Sequence, residues 1–64
     1  MKVNGIQQMI EADMTVGELV TVRGLDPARV VVEHNYNILP RDRWYEVRLG
    51  EDDNIEIVSF VGGG

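Results

Sequence analysis

The segment Ile55-Glu56-Ile57-Val58-Ser59-Phe60-Val61-Gly62-Gly63-Gly64 decides how the rest of this chain is read. Residues 55–61 have the composition of a β-strand, since β-branched and aromatic side chains suit a pleated, half-buried surface. Alternate side chains of a strand face opposite sides. Ile55, Ile57, Ser59 and Val61 therefore share one face, and Glu56, Val58 and Phe60 share the other. With Ile55 and Ile57 turned to a core, Val58 and Phe60 point outward, and apolar side chains on an outer face form a candidate docking surface. The strand runs directly into three glycines, which have no side chain to pack and the greatest backbone freedom. Residues 1–61 are thus expected to form the domain and residues 62–64 a flexible tail. A tail without side chains can thread a narrow channel, Gly62 and Gly63 leading, and place the carboxylate of Gly64 in another protein's active site.

Upstream of this segment the elements are short and closely spaced. Asn4-Gly5 between Val3 and Ile6 is a hairpin signal, because both central positions of a type I′ turn need positive φ. It predicts strands over Met1–Val3 and Ile6–Glu11. Thr15 with Glu18 three residues later makes a capping box, and Met14 with Leu19 occupies the positions of a hydrophobic staple. Val16, Leu19 and Val20 then fall on one helical face. Gly17 weakens the helix interior by up to about 1 kcal/mol. Gly24 supplies the stop, with Pro27 beyond it. A helix of two to three turns is too short to stand alone and must pack on something.

Val30-Val31-Val32-Glu33-His34 reads as a buried strand, Asn35-Tyr36-Asn37 as a turn, and Ile38-Leu39 as an extended piece ended by Pro40. Arg41–Trp44 is expected to make one helical turn. Tyr45–Leu49 is irregular or weakly extended, and Gly50–Asn54 is a polar turn. The order is hairpin, helix, strand, short extended piece, strand. This is an α+β pattern, a mixed sheet of four to five strands with one helix across one face, and that arrangement is the ubiquitin-like β-grasp. In it the first and last strands lie side by side in parallel.

Composition narrows the chemistry. The chain has 64 residues, no cysteine, one histidine, and six Lys+Arg against eleven Asp+Glu, a formal net charge of -5. A domain of this size has a small core and marginal stability. The absence of cysteine excludes disulfides and thiolate metal sites, and a lone His34 leaves a closed zinc site short of ligands. The acidic balance argues against nucleic acid and favours a basic protein surface as partner. No apolar run is long enough for a membrane span. With no signal-peptide pattern, a cytoplasmic location is expected. No metal, paired acids or phosphate loop points to an enzyme. The terminal carboxylate is left as the candidate working group. Adenylation would convert it into an acyl-adenylate, and a sulfur nucleophile could then displace AMP.

The stretch Glu56–Gly64, the element Asn35-x-x-Ile38-x-Pro40-Arg41-x-x-Trp44 and the opening Met1-Lys2-Val3-Asn4-Gly5 together resemble the ThiS family of thiamine-biosynthesis sulfur carriers. The resemblance covers nearly the whole chain. It departs at Gln7-Gln8-Met9 and at His34–Asn37. It implies a ubiquitin-like fold in a protein that is a monomer alone and binds no cofactor itself. It also implies two partners. An E1-like (ThiF-like) adenylyltransferase would use ATP to activate Gly64 and install sulfur, and a thiazole synthase (ThiG-like) would receive that sulfur. The family's functional positions map to Gly63 and Gly64.

Three functions remain compatible with these residues: a thiamine sulfur carrier, a small carrier subunit of the molybdopterin-synthase type, and a β-grasp binding module or protein modifier. The other conspicuous residues read as structural. His34 is a strand-end residue at the core edge and Trp44 caps the core. Arg41 and Arg43 are surface charges available to Asp42, Glu46 or Glu51, and Glu51-Asp52-Asp53 is a solvated turn.

Overall fold

A computed structural model describes residues 1–11 and 13–60. Five strands form one sheet: β1 (Lys2–Val3), β2 (Ile6–Gln7), β3 (Val30–His34), β4 (Asn37–Ile38) and β5 (Asn54–Ser59), in the order β2-β1-β5-β3-β4. β1 and β5 are parallel, with Lys2 opposite Asn54 and Val3 opposite Ile55, and every other pairing is antiparallel. The expected β-grasp is present, and α1 (Val16–Val22) is the one α-helix among the described residues.

The first hairpin forms as its turn residues require, with Asn4 at φ 51° and Gly5 at φ 82°. Its second strand covers only Ile6–Gln7, shorter than the expected Ile6–Glu11. The side chain of Asn4 makes up part of the deficit on the β1 side. Its Oδ1 accepts a 2.7 Å hydrogen bond from the Ile57 N–H, on the second residue after Ile55, the last residue of β5 that β1 pairs with.

α1 is seven residues long, and all four N–H groups of its first turn are bonded. Val16 N–H donates to Val47 O and Gly17 N–H to Trp44 O, each at 3.0 Å. Glu18 N–H donates to Thr15 Oγ1, and Leu19 N–H to Thr15 O. The capping box is complete. At the other end Gly24, at φ 72°, closes a Schellman motif, with Gly24 N–H bonded to Thr21 O and Leu25 N–H to Val20 O. The strap 44–47 thus has a function in folding, because its carbonyls accept from N–H groups that a short helix would otherwise leave to water. An unanticipated 3₁₀ turn, η1 (Pro27–Arg29), is capped by Asp26, whose Oδ1 accepts from Ala28 N–H. The expected turn after Pro40 is a second 3₁₀ turn, η2 (Arg41–Arg43).

The core lies between α1 and the inner sheet face. Val16, Leu19 and Val20 meet Val3, Val30, Val32, Ile55 and Ile57, with Met1, Trp44 and Leu49 closing the sides. Trp44 is 3% exposed and donates its indole N–H to Leu39 O at 3.1 Å, which confirms it as a core cap.

Candidate functional site

β5 runs through the middle of the sheet, and its register decides which side chains face away from the helix. Val30 pairs with Ser59, Val31 with Val58, Val32 with Ile57, Glu33 with Glu56 and His34 with Ile55. Directly opposed residues share a face. Ile55, Ile57, Val30 and Val32 are buried, so Val31, Val58, Glu33 and Glu56 lie on the outer side. Ile38, opposite Glu33, joins them. Val58 is 53% exposed and Phe60 55%, as the alternation of the sequence predicts. Val31 and Ile38 enlarge this face beyond what β5 alone indicated. The signal was present in Val30-Val31-Val32, where the middle residue must oppose its neighbours.

β5 ends at Ser59, and Phe60 N–H still donates to Arg29 O at 2.7 Å. The chain is therefore held against the start of β3 up to Phe60. The expected remainder of the strand at Val61 and the tail Gly62, Gly63 and Gly64 lie outside the described residues.

The opposite end of the sheet holds a polar cluster that the sequence reading missed. Asp53 Oδ2 lies 3.1 Å from His34 Nε2 and accepts from Gly50 N–H at 2.7 Å, and Asp53 Oδ1 accepts from Asn35 Nδ2 at 3.1 Å. Asn35 Oδ1 in turn accepts from Asn54 N–H at 2.8 Å. Burial opposes the charge on Asp53. The hydrogen bonds from Asn35, Gly50 and His34, together with the attraction of His34, outweigh it and lower the Asp53 pKa. Asp53 is thus a folded anchor of the β3–β4 hairpin, whereas Glu51 and Asp52 are exposed as expected of the turn. His34 sits at the core edge as predicted, with this acid as its partner. Arg43 pairs with Glu46 at 3.8 Å, one of the acids anticipated for it, and Arg41 stacks over Trp44 with its Cζ 5.7 Å from the ring centroid. Among the described residues no three His, Cys, Asp or Glu side chains are grouped to hold a metal ion, and no helix is long and apolar enough to cross a membrane.

The geometry therefore offers a presented strand end and an apolar outer face. Comparison with known proteins gives both a context, because the ThiS family model matches residues 1–64, the whole of the chain. The chain belongs to the ThiS family. The sulfur carrier protein ThiS of Bacillus subtilis is 44% identical over 50 residues, 78% of this chain and 76% of that protein. The crystal structure of the thiamine biosynthesis protein ThiS from Geobacter metallireducens superposes with a TM-score of 0.81 at 27% identity, covering 98% of this chain and 96% of that one. A thiazole synthase of Paramagnetospirillum magneticum is 39% identical over 62 residues, 97% of this chain. This ThiS-family chain spans about a fifth of the length of the curated thiazole synthases it matches, 19% in each of two.

Proposed function

We propose that this ThiS-family chain is a sulfur carrier protein of thiamine biosynthesis, acting as a co-substrate of partner enzymes in the cytoplasm. An E1-like, ThiF-like adenylyltransferase joins the Gly64 carboxylate to AMP from ATP and releases pyrophosphate. A sulfur nucleophile then attacks the acyl carbon and expels AMP, leaving a thiocarboxylate at Gly64. The thiocarboxylate sulfur is delivered to a ThiG-like thiazole synthase. Gly62 and Gly63 pass through the partner's channel, and Val58 and Phe60 dock on its surface.

The observation that carries this reading is the family match over residues 1–64, which includes the glycines themselves. Two further findings support it. Val58 and Phe60 are exposed on the strand that leads to those glycines. In two relatives, a segment 39% and 41% identical to this chain makes up about a fifth of a protein named thiazole synthase. The test is intact-mass analysis of the untagged protein after incubation with ATP, sulfide and the adenylyltransferase. An oxygen-to-sulfur mass increment that disappears on deletion of Gly64 is expected. Its absence in the full chain overturns the proposal.

A further inference from the structure

Of the asparagines in this chain, only Asn4 is followed by glycine. Asn35, Asn37 and Asn54 precede Tyr36, Ile38 and Ile55, whose side chains crowd the backbone nitrogen that carries them. Gly5 leaves its nitrogen unshielded. Both turn residues are exposed, and a Cβ built on Gly5 would meet no atom within 4 Å. Such a nitrogen can attack the Asn4 side-chain Cγ, close a five-membered succinimide and expel ammonia. Water then opens the ring at either carbonyl. Cleavage of the bond from Gly5 N to Cγ gives aspartate. Cleavage of the bond from Gly5 N to the backbone carbonyl carbon gives isoaspartate, with the main chain rerouted through Cβ and Cγ. In sum one water is consumed and one ammonia released, with no oxidation or reduction.

The folded hairpin opposes ring closure in two ways. φ values of 51° at Asn4 and 82° at Gly5, in the two-residue connection between the paired Val3 and Ile6, define a type I′ turn. The first central residue of that turn has a ψ of about 30°. The next nitrogen then points nearly away from Cβ across the Cα–C bond, whereas the succinimide needs the two eclipsed. The carboxamide is also held across the sheet, because Asn4 Oδ1 accepts from Ile57 N–H at 2.7 Å. Ring closure therefore waits on opening of the hairpin. β2 is an edge strand of two exposed residues, tied to β1 by the Val3–Ile6 and Lys2–Gln7 pairs and followed by a bond from Gln8 N–H to Met1 O at 2.8 Å. An element that buries so little surface opens at low cost.

We propose that Asn4 is a modification site gated by the fold: protected while the first hairpin is closed, deamidated when it opens, and barred from reclosing once isoaspartate has formed. Isoaspartate adds a methylene to the backbone of a two-residue turn whose length sets the strand register. Its free carboxylate hangs directly on Cα, one carbon short of the reach that brings Oδ1 to Ile57 N–H. The product thus takes the acceptor away from β5 just beyond the residues that β1 pairs with. Aspartate keeps the backbone and the acceptor in place. The hairpin therefore records its own openings as an irreversible chemical change. This property belongs to the folded domain and does not depend on the carrier role proposed above.

Peptide mapping by liquid chromatography and mass spectrometry tests this on the full chain, aged at mildly alkaline pH in buffer and in guanidinium chloride. Deamidation at Asn4 is expected to be at least about tenfold slower in buffer than in denaturant, because the reaction proceeds through the open hairpin. Gln8→Pro removes the N–H that bonds to Met1 O. It is expected to raise the rate severalfold in buffer and to leave the rate in denaturant unchanged. The denaturant comparison uses the unaltered chain, so it decides the matter where Gln8→Pro does not fold. The aged protein is then separated into its aspartate and isoaspartate forms. Hydrogen-exchange protection at Ile57 is expected to be lost in the isoaspartate form and kept in the aspartate form. Equal rates in buffer and denaturant overturn the gating. No deamidation at Asn4 in denaturant overturns the site itself. An isoaspartate form with Ile57 still protected overturns the block to reclosure.

Discussion

The ring of Tyr45 lies so close to Gly17 that a Cβ on residue 17 would stand 2.6 Å from two of its carbon atoms. A side chain at residue 17 would therefore have to displace the far end of Tyr45, which is 63% exposed, so the glycine leaves the ring its place at some cost in helix stability. The ring is positioned by the strap, with its hydroxyl 3.3 Å from Thr21 Oγ1, which itself donates to Gly17 O at 3.0 Å. Replacing Gly17 by Ala gains up to about 1 kcal/mol of helix propensity, and forces the ring off its site. Gly17→Ala is expected to destabilise the protein by about 1 kcal/mol, and to stabilise it by about 0.5–1 kcal/mol when Tyr45→Ala is also present. Urea denaturation of the four proteins in this cycle measures the reversal of sign. The same sign in both backgrounds would show that the ring moves aside freely.

Asn4 serves both as a turn residue and as the partner of a backbone group 53 positions away, Ile57 N–H. Asn4→Gly keeps the positive φ and loses the acceptor. It is expected to cost about 1–2 kcal/mol, the range for leaving a part-buried donor without its bond. Asn4→Asp retains both the acceptor and tolerance of the left-handed region, and should stay close to the parent. Hydrogen exchange at Ile57 provides the local readout, with protection lost in Asn4→Gly and kept in Asn4→Asp.

These two residues show where the sequence is legible. Asn4-Gly5, Thr15 with Glu18, and Gly24 specify their turn and helix ends through neighbours within a few positions, so their conformations could be read directly. The alternation of Ile55 to Phe60 likewise gave the exposed face. What Gly17 and Asn4 do besides depends on partners far along the chain, Tyr45 and Ile57, and no local pattern announces either contact. The second hairpin makes the same point. Asn35 and Tyr36 take φ values of 50° and 71° without a glycine, a conformation that a bulky residue resists. It is held by the bonds of Asn35 to Asp53 and Asn54, supplied by the loop that precedes β5 and by its first residue. The acidic run 51–53 gave no sign that its last member would be folded in.

Asp53 gives the fold a defined response to acid. Its pKa is lowered in the folded protein, so its charge contributes stability that is present above the unfolded carboxylate value of about 4 and is lost as pH falls through the folded value. Asp53→Asn is expected to cost about 1–2 kcal/mol at neutral pH, because an amide cannot accept from Gly50 and Asn35 as a carboxylate does. The gap between the two proteins should narrow below pH of about 4. Denaturant titrations across pH check this, and a gap independent of pH would show that the carboxylate charge has no part in holding the hairpin.

Val58 and Phe60 are on the surface, so their removal should separate folding from association. Exposed side chains away from caps and cores usually change stability by no more than about 0.5 kcal/mol. Val58→Ser and Phe60→Ser are therefore expected to melt within a few degrees of the parent, since about 1 kcal/mol corresponds to roughly 4–8 °C in a domain of this size. Apolar anchors at the centre of an interface commonly contribute more than about 1 kcal/mol each to binding. The double variant should thus bind the thiazole synthase more than tenfold more weakly while its spectrum and melting curve remain those of a folded protein. Phe60 carries a further consequence, because its N–H is bonded to Arg29 O at the point where β5 gives way to residues 61–64. That bond belongs to the backbone and survives the substitution, so the strand end stays where it is and only the outer surface changes. Weakened binding with an unchanged strand end would assign the loss to the docking face. Unchanged binding would leave the tail as the whole of the recognition element.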